Sequence, residues 1–200
     1  MARKRTVRRK LARGKTWYKI HAPKVFEEKE IGETVGKDAD SIIGRCIDLH
    51  YSELSGDITK HYIKIKLRIN KVVGEHAYTE VIGYELSRPH LQRIIRRRIS
   101  KIDAIKDIRL KDGKKVRIKG IAITQHKTNV STETALRKAF IEEIEKILSP
   151  FDIESLVVAL STNQPQKEMQ KKLNKIYPIR YIDIRKIELL KEKKGIDAKS

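Results

Sequence analysis

The 200-residue chain has one cysteine, Cys46, one tryptophan, Trp17, five prolines and no acid before Glu27. A lone thiol rules out an internal disulfide or a multi-cysteine zinc centre, and within the apolar run IIGRCIDLH it reads as a small buried side chain. No stretch reaches the roughly 18 uninterrupted apolar residues of a spanning helix, and the N-terminus lacks the apolar core of a secretory signal. The chain therefore reads as soluble and intracellular. Catalytic signatures are missing too: there is no Walker A loop, GxGxxG, HExxH, CxxC or GxSxG. His21, His50, His61, His76, His90 and His126 are dispersed without ligand-like spacing, and Asp38 with Asp40 lacks the partners that two-metal chemistry needs. These absences argue against an enzyme, a metal site, a cofactor or a small-molecule substrate.

What the chain does have is positive charge: 46 basic against 26 acidic residues, a net charge of +20 and a pI near 10.0. Such an excess destabilises a compact state by self-repulsion unless a polyanion compensates it. Nucleic acid is the leading partner and an anionic membrane surface the second. The densest cluster is N-terminal: Arg3, Lys4, Arg5, Arg8, Arg9, Lys10, Arg13, Lys15 and Lys19. A run of this kind repels itself and cannot bury apolar surface, so residues 1–19 read as a basic arm, disordered until phosphates neutralise it. The remaining organisation reads as a single α+β domain over 20–190, β-rich from 40 to 125 and helix-rich from 131 to 190, with a frayed tail at 191–200.

Residues 42–50 read as a short strand. In HYIKIKLRI, Ile63, Ile65, Leu67 and Ile69 alternate with Lys64, Lys66 and Arg68, the period of a half-buried strand with one apolar and one cationic face. A turn near Gly74 and Glu75 returns the chain through residues 77–86 as an antiparallel partner. A second hairpin follows. A three-residue loop, Lys111 to Gly113 with Gly113 left-handed in a bulge, sets Ile108 opposite Val116 and Arg109 opposite Lys115, whereas a two-residue loop would mix the faces. The outer face then carries Arg109, Lys115, Arg117 and Lys119, a stacking of like charge that costs stability unless an anion lies against it.

Ser87 is placed to cap a helix with Pro89 in its first turn, its stripe formed by Leu91, Ile94, Ile95 and Ile99 and its other faces by Arg93, Arg96, Arg97, Arg98 and Lys101. No acid occurs between Leu86 and Ile102. A second helix runs from Ser131 to Leu148, striped by Leu136, Phe140, Ile144, Ile147 and Leu148 and stopped by Pro150. Residues 152–160 are ambiguous between strand and helix, 165–176 read as helix with Pro165 at the start, and Tyr181, Asp183 and Arg185 alternate with Ile182 and Ile184 as a late strand. At the root of the arm, Trp17 either stacks on an unpaired base or plugs the arm into the core. The candidate nucleic-acid contacts are thus the arm cations Arg3, Lys4, Arg5, Arg8, Arg9, Lys10, Arg13 and Lys15 with Trp17. On the domain they are Lys64, Lys66, Arg93, Arg96, Arg97, Arg109, Lys115, Arg117 and Lys119.

The arm followed by TWYKIHAPKVF, IGETV, GRCIDLHYSEL, IKIKLRINKVVGEHAYTEVIGYELSR, RIKGIAIT and KIYPIRYIDIRKIELLK resembles, in the same order, the archaeal and eukaryotic small-subunit ribosomal protein family called S-one-e or S-three-A-e. The resemblance is to the archaeal version, since the eukaryotic proteins carry a longer C-terminal extension. It implies an α+β fold whose antiparallel strands curl into a barrel-like sheet flanked by helices. It also implies a cytoplasmic structural constituent of the small ribosomal subunit, on the platform near the mRNA exit, bound to small-subunit rRNA and neighbouring ribosomal proteins, with mRNA a further candidate partner. Phosphate contacts by Lys and Arg would set position without reading sequence. The rival readings are a free RNA- or DNA-binding module, such as an RNA chaperone or a chromatin protein, and a small nuclease or modifying enzyme.

Overall fold

A computed structural model describes residues 14–190. In chain order the elements are β1 (Thr16–His21), β2 (Glu30–Gly36), β3 (Cys46–His50), α1 (Tyr51–Ser55), β4 (Ile63–Val73), β5 (His76–Leu86), α2 (Arg88–Ile94), β6 (Lys101–Arg109), β7 (Lys115–Thr124), α3 (Val130–Leu148), α4 (Ile153–Ser161), α5 (Gln164–Leu173) and β8 (Ile179–Leu189). The hydrogen-bonded strand order is β2-β1-β5-β8-β7-β6, with β4 paired to β5 and to β3. The mixed α+β class follows. The path ends at β2 and at β6 with no pairing between them, so the barrel-like closure implied by the resemblance is not found among the described residues. Nor is the sheet wholly antiparallel, because β1 runs parallel to β5, with Lys19 opposite His76 and His21 opposite Tyr78.

The chain divides into two units, one spanning residues up to 46 together with 68–80, the other 47–67 together with residues from 81 onward. In the first, β1 and β2 form an antiparallel pair that begins at Thr16, inside the segment read as an arm. Tyr18 and Ile20 are its buried residues, while Trp17 faces outward and is 37% exposed, so the aromatic that enters the core is Tyr18. Ile42 is fully buried and lies over Gly36, where a Cβ would come within 2.5 Å of its side chain. Cys46 is exposed, contrary to the expected burial. The reason is that β3 pairs only with β4 and carries no buried residue, the apolar run's fully buried member being Ile42, before the strand.

In the second unit the alternation in β4 behaves as expected, Ile63, Ile65 and Leu67 being buried. The β6–β7 hairpin has the expected register, Ile108 opposite Val116 and Arg109 opposite Lys115. Its turn is closed by Gly113 N–H donating to Leu110 O at 2.9 Å, with Gly113 at φ +75°, a conformation open to glycine at little cost. On one face of β7, Gly120 leaves room for α3: a Cβ there would meet the Phe140 ring at 2.6 Å. Leu136, Phe140, Ile144 and Leu148 are the buried stripe of α3, each contributing about 1.5–3 kcal/mol of burial. The ambiguous 152–160 segment is helix, α4, whose entry is fixed by Asp152 N–H donating to Ser155 Oγ at 3.0 Å.

Two expectations in this unit fail. The Arg-rich helix stops at Ile94 rather than running to Lys101; Ile95 is extended, Arg98 is left-handed at φ +63° and α2 has no buried residue. Continuing it would stack Arg93, Arg96 and Arg97 at helical i,i+3 and i,i+4 spacings, where like charges repel and no carboxylate intervenes. Ile95 is accordingly 38% exposed and not a core residue. In β8 the alternation breaks, and Asp183 is buried at 3% exposure instead of facing outward beside Arg185.

Candidate nucleic-acid interface

Of the arm cations, Arg3, Lys4, Arg5, Arg8, Arg9, Lys10 and Arg13 lie outside the described residues; Lys15 and Trp17 are exposed in the first unit. The other candidates all belong to the second unit, and its hydrogen bonds sort them into two classes.

The first class is neutralised within the protein. Across β7, β8, β5, β4 and β3 the charges alternate in a continuous ladder. Lys119 Nζ lies 2.9 Å from Glu188, Lys186 2.7 Å from Glu188 and 3.5 Å from Glu85, and Lys66 3.7 Å from Glu85 and 4.0 Å from Asp48. Hydrogen bonds from Lys186 and then Lys119 pull the Glu188 carboxyl down to about 2, and Glu188 in turn raises the pKa of Lys186. Arg117 makes a two-pronged contact with Asp107, Nε to Oδ1 at 2.7 Å and Nη2 to Oδ2 at 2.8 Å, which holds that carboxyl below the usual range. The like-charge stack expected on the outer face is therefore largely absent, surviving as Arg109 opposite Lys115. Asp107 was legible in advance: it sits two residues before Arg109 and opposite Arg117 in the very register that the turn dictates.

The second class has no carboxylate partner among the described residues: Lys64, Arg93, Arg96, Arg97, Arg109 and Lys115 from the sequence reading, and Arg88, Arg180 and Arg185, which that reading left out. Two clefts flank α2. The larger, about 400 Å³, is lined by Arg88, Leu91, Gln92 and Ile95 from α2 and its exit, by Ile121 of β7 and by Arg185 of β8, with Lys101, Lys119, Lys186 and Glu85 at its margin. The smaller, about 250 Å³, is lined by Arg93, Ile94, Arg96, Arg180 and Tyr181.

Arg180 and Arg185 reach these clefts for one reason. The β7–β8 register steps from Lys119 opposite Lys186 to Gly120 opposite Ile184, and again from Ile123 opposite Tyr181 to Thr124 opposite Ile179. Each step leaves one extra residue on β8, and the two extra residues are Arg185 and Arg180. A bulge re-aims its side chain and twists the strand.

Beneath the smaller cleft a polar network fixes the ring of Tyr181. Its hydroxyl donates to Asp183 Oδ2 at 2.6 Å, while Gln166 Nε2 at 3.2 Å and Ile184 N–H at 2.7 Å donate to Oδ1. Burial raises the Asp183 carboxyl despite these donors, and burial with the neighbouring Asp183 charge raises Tyr181 strongly. His90 Nε2 lies 3.2 Å from Tyr181 Oη and is the donor there, since the phenolic proton is committed to Asp183; its ring stacks on Tyr62 with centroids 4.0 Å apart. Burial, then the charge of Arg93, depresses the His90 pKa.

No group of three or more His, Cys, Asp or Glu able to hold a metal occurs among the described residues, and no described helix is long and apolar enough to cross a membrane. Residues 2–193 match the model of the ribosomal S3Ae family. The chain belongs to that family. Its members include proteins named small ribosomal subunit protein eS1. The one from Methanopyrus kandleri is 37% identical over 186 residues, 91% of this chain and 88% of that protein. The one from Methanothermobacter thermautotrophicus is 35% identical over 191 residues, 96% of this chain and 97% of that protein. The one from Saccharolobus islandicus is 36% identical over 177 residues, covering 88% and 85%. This is a family of ribosomal proteins and not of enzymes, in keeping with the missing catalytic motifs.

Proposed function

We propose that the protein is a structural constituent of the small ribosomal subunit in the cytoplasm, bound to small-subunit rRNA through the phosphate backbone and RNA shape, on the platform near the mRNA exit. The family match over residues 2–193 carries this reading. The charge of +20 and the arginines in and after α2 and on β8 that have no carboxylate partner among the described residues supply its chemistry, since a guanidinium not held by a carboxylate can engage phosphate. Within the proposed interface, Lys64, Arg93, Arg96, Arg97, Arg109 and Lys115 contact RNA, and Trp17 offers an exposed face for a base. The arm cations add long-range attraction, and neighbouring ribosomal proteins, with mRNA, complete the surroundings.

Sedimentation tests it. In a gradient of cell lysate the protein is expected with small subunits, and footprinting should show protection of one rRNA region. Recovery at the top of the gradient, with similar affinity for many polyanions, would favour a free nucleic-acid module. With six phosphates engaged, log K should fall against log salt with a slope of about −4 to −5; a slope near zero would leave the charges without a nucleic-acid role.

A further inference from the structure

We infer that the two clefts flanking α2 bind a short single-stranded stretch of RNA, with one unstacked nucleotide seated in the larger cleft. The inference rests on the reading of the protein as an rRNA binder and adds a definite site to it. Phosphate contact alone would need only exposed cations. The larger cleft has more: its lining sets the part-exposed apolar side chains of Leu91 and Ile95, with the buried Leu86 and Ile121, among cations and the carboxylate of Glu85. Its margin lysines are already matched, Lys101 to Asp103 at 2.8 Å, Lys119 to Glu188 and Lys186 to both Glu188 and Glu85. Arg88 and Arg185 are the rim cations left unmatched among the described residues. A ligand that complements this cleft is therefore flat and apolar on one side and anionic on the other, as a nucleotide with an unstacked base is. About 400 Å³ lies within the range of small-ligand sites. Gln92 adds one side chain able both to donate and to accept at a base edge.

The smaller cleft continues the track. Arg93, Arg96 and Arg180 surround Ile94 and Tyr181, with no acid on the lining. The two bulge arginines are five positions apart on β8, about 16 Å at strand rise, a span that a few nucleotides of single strand can cover. Placing both bulges under arginines gives one strand two anchoring points on either side of α2, while a duplex, whose bases stay stacked, has no base to set against Leu91 and Ile95.

The test uses the full chain with two probes, a short oligouridine carrying 4-thiouridine and a fully paired hairpin with the same number of phosphates. The doubly substituted Arg88→Gln, Arg185→Gln protein and, separately, Ile95→Glu should each lose about tenfold affinity for the oligouridine while hairpin binding changes less than about twofold. Ile95 is exposed enough for the carboxylate to be tolerated, and circular dichroism checks folding. Photo-crosslinking of the unsubstituted chain, which does not depend on any variant, should place the adduct within 85–101, 119–121 or 180–186. Equal losses on both probes would reduce the arginines to general phosphate contacts and overturn the site. Unchanged oligouridine binding, or crosslinks elsewhere, would also overturn it and leave the cleft to another occupant, such as an acidic segment of a neighbouring protein. A chain that binds neither probe would bring down the rRNA reading together with the site, whereas normal hairpin binding without oligouridine selectivity would remove the site alone.

Discussion

Two cationic regions of the second unit look alike in sequence and behave differently in the fold. Across β3, β4, β5, β8 and β7, lysines alternate with carboxylates in a ladder from Asp48 to Lys119, whereas around α2 and the bulges of β8 the arginines meet no carboxylate among the described residues. The charge of the first region is largely matched within the protein; the cations of the second have no carboxylate partner among the described residues. Counting Lys and Arg overstates an RNA footprint wherever cross-strand acids are present, and counting matters most where acids are missing.

The largest separation between the regions should come from changing Arg93, Arg96 and Arg97 together to Gln. The salt slope of RNA binding should fall by about 2 to 3 units, and affinity with it, because each phosphate contact contributes roughly 0.7–0.9 to the slope. Loss should be similar for unrelated RNA sequences, and the thermal midpoint should hold, since all three side chains are exposed. Salt-dependent binding assays decide this, and an unchanged slope would remove Arg93, Arg96 and Arg97 from the interface.

Next in size is the network that holds Tyr181 beside the smaller cleft. Asp183→Ala strands three donors, Tyr181 Oη, Gln166 Nε2 and Ile184 N–H, and should cost about 2–3 kcal/mol. Asp183→Asn should cost less than Ala in thermal denaturation, because its amide oxygen still accepts from Gln166 and Ile184 while its NH2 donates to Tyr181 Oη, the phenolic proton then turning to His90 Nε2 as acceptor. A loss as large for Asn as for Ala would mean that the carboxylate charge itself is required.

Breaking the ladder should have a smaller effect on stability and an inverted effect on binding. Glu188→Gln leaves Lys119 and Lys186 with less negative charge, costing about 1 kcal/mol after allowance for solvent screening, yet RNA affinity should rise a few-fold as two cations are released. The pH dependence follows from the depressed carboxyl. With the folded value at about 2 against an ordinary 4.5, Glu188 stabilises the fold above 4.5, and that contribution drains away as pH falls toward 2. Acid titration of the Gln variant should lack this part of the decline. Smallest of all is Lys66→Gln, with a stability change of at most about 0.5 kcal/mol and little change in RNA binding.

Local pattern was enough wherever neighbours along the chain decide the outcome. The period of two in β4, the stripe of α3 and the three-residue turn at Lys111 to Gly113 were legible because pleat, helical repeat and turn geometry are short-range, and that turn fixed the pairing of Arg109 with Lys115. The whole-chain order of motifs likewise led to the family. Long-range partners were not legible. Nothing near Lys119 in the chain announces Glu188, so its neutralisation appears only when β8 is laid between β5 and β7, unlike the Lys66–Glu85 pair, which is a contact across the β4–β5 hairpin. The same holds for Arg180 and Arg185, whose places in the clefts depend on where β8 fails to match β7 residue for residue. Periodicity determined which faces are apolar; strand pairing determined which charges remain free, because an ion pair depends on distance in space and not on distance along the chain.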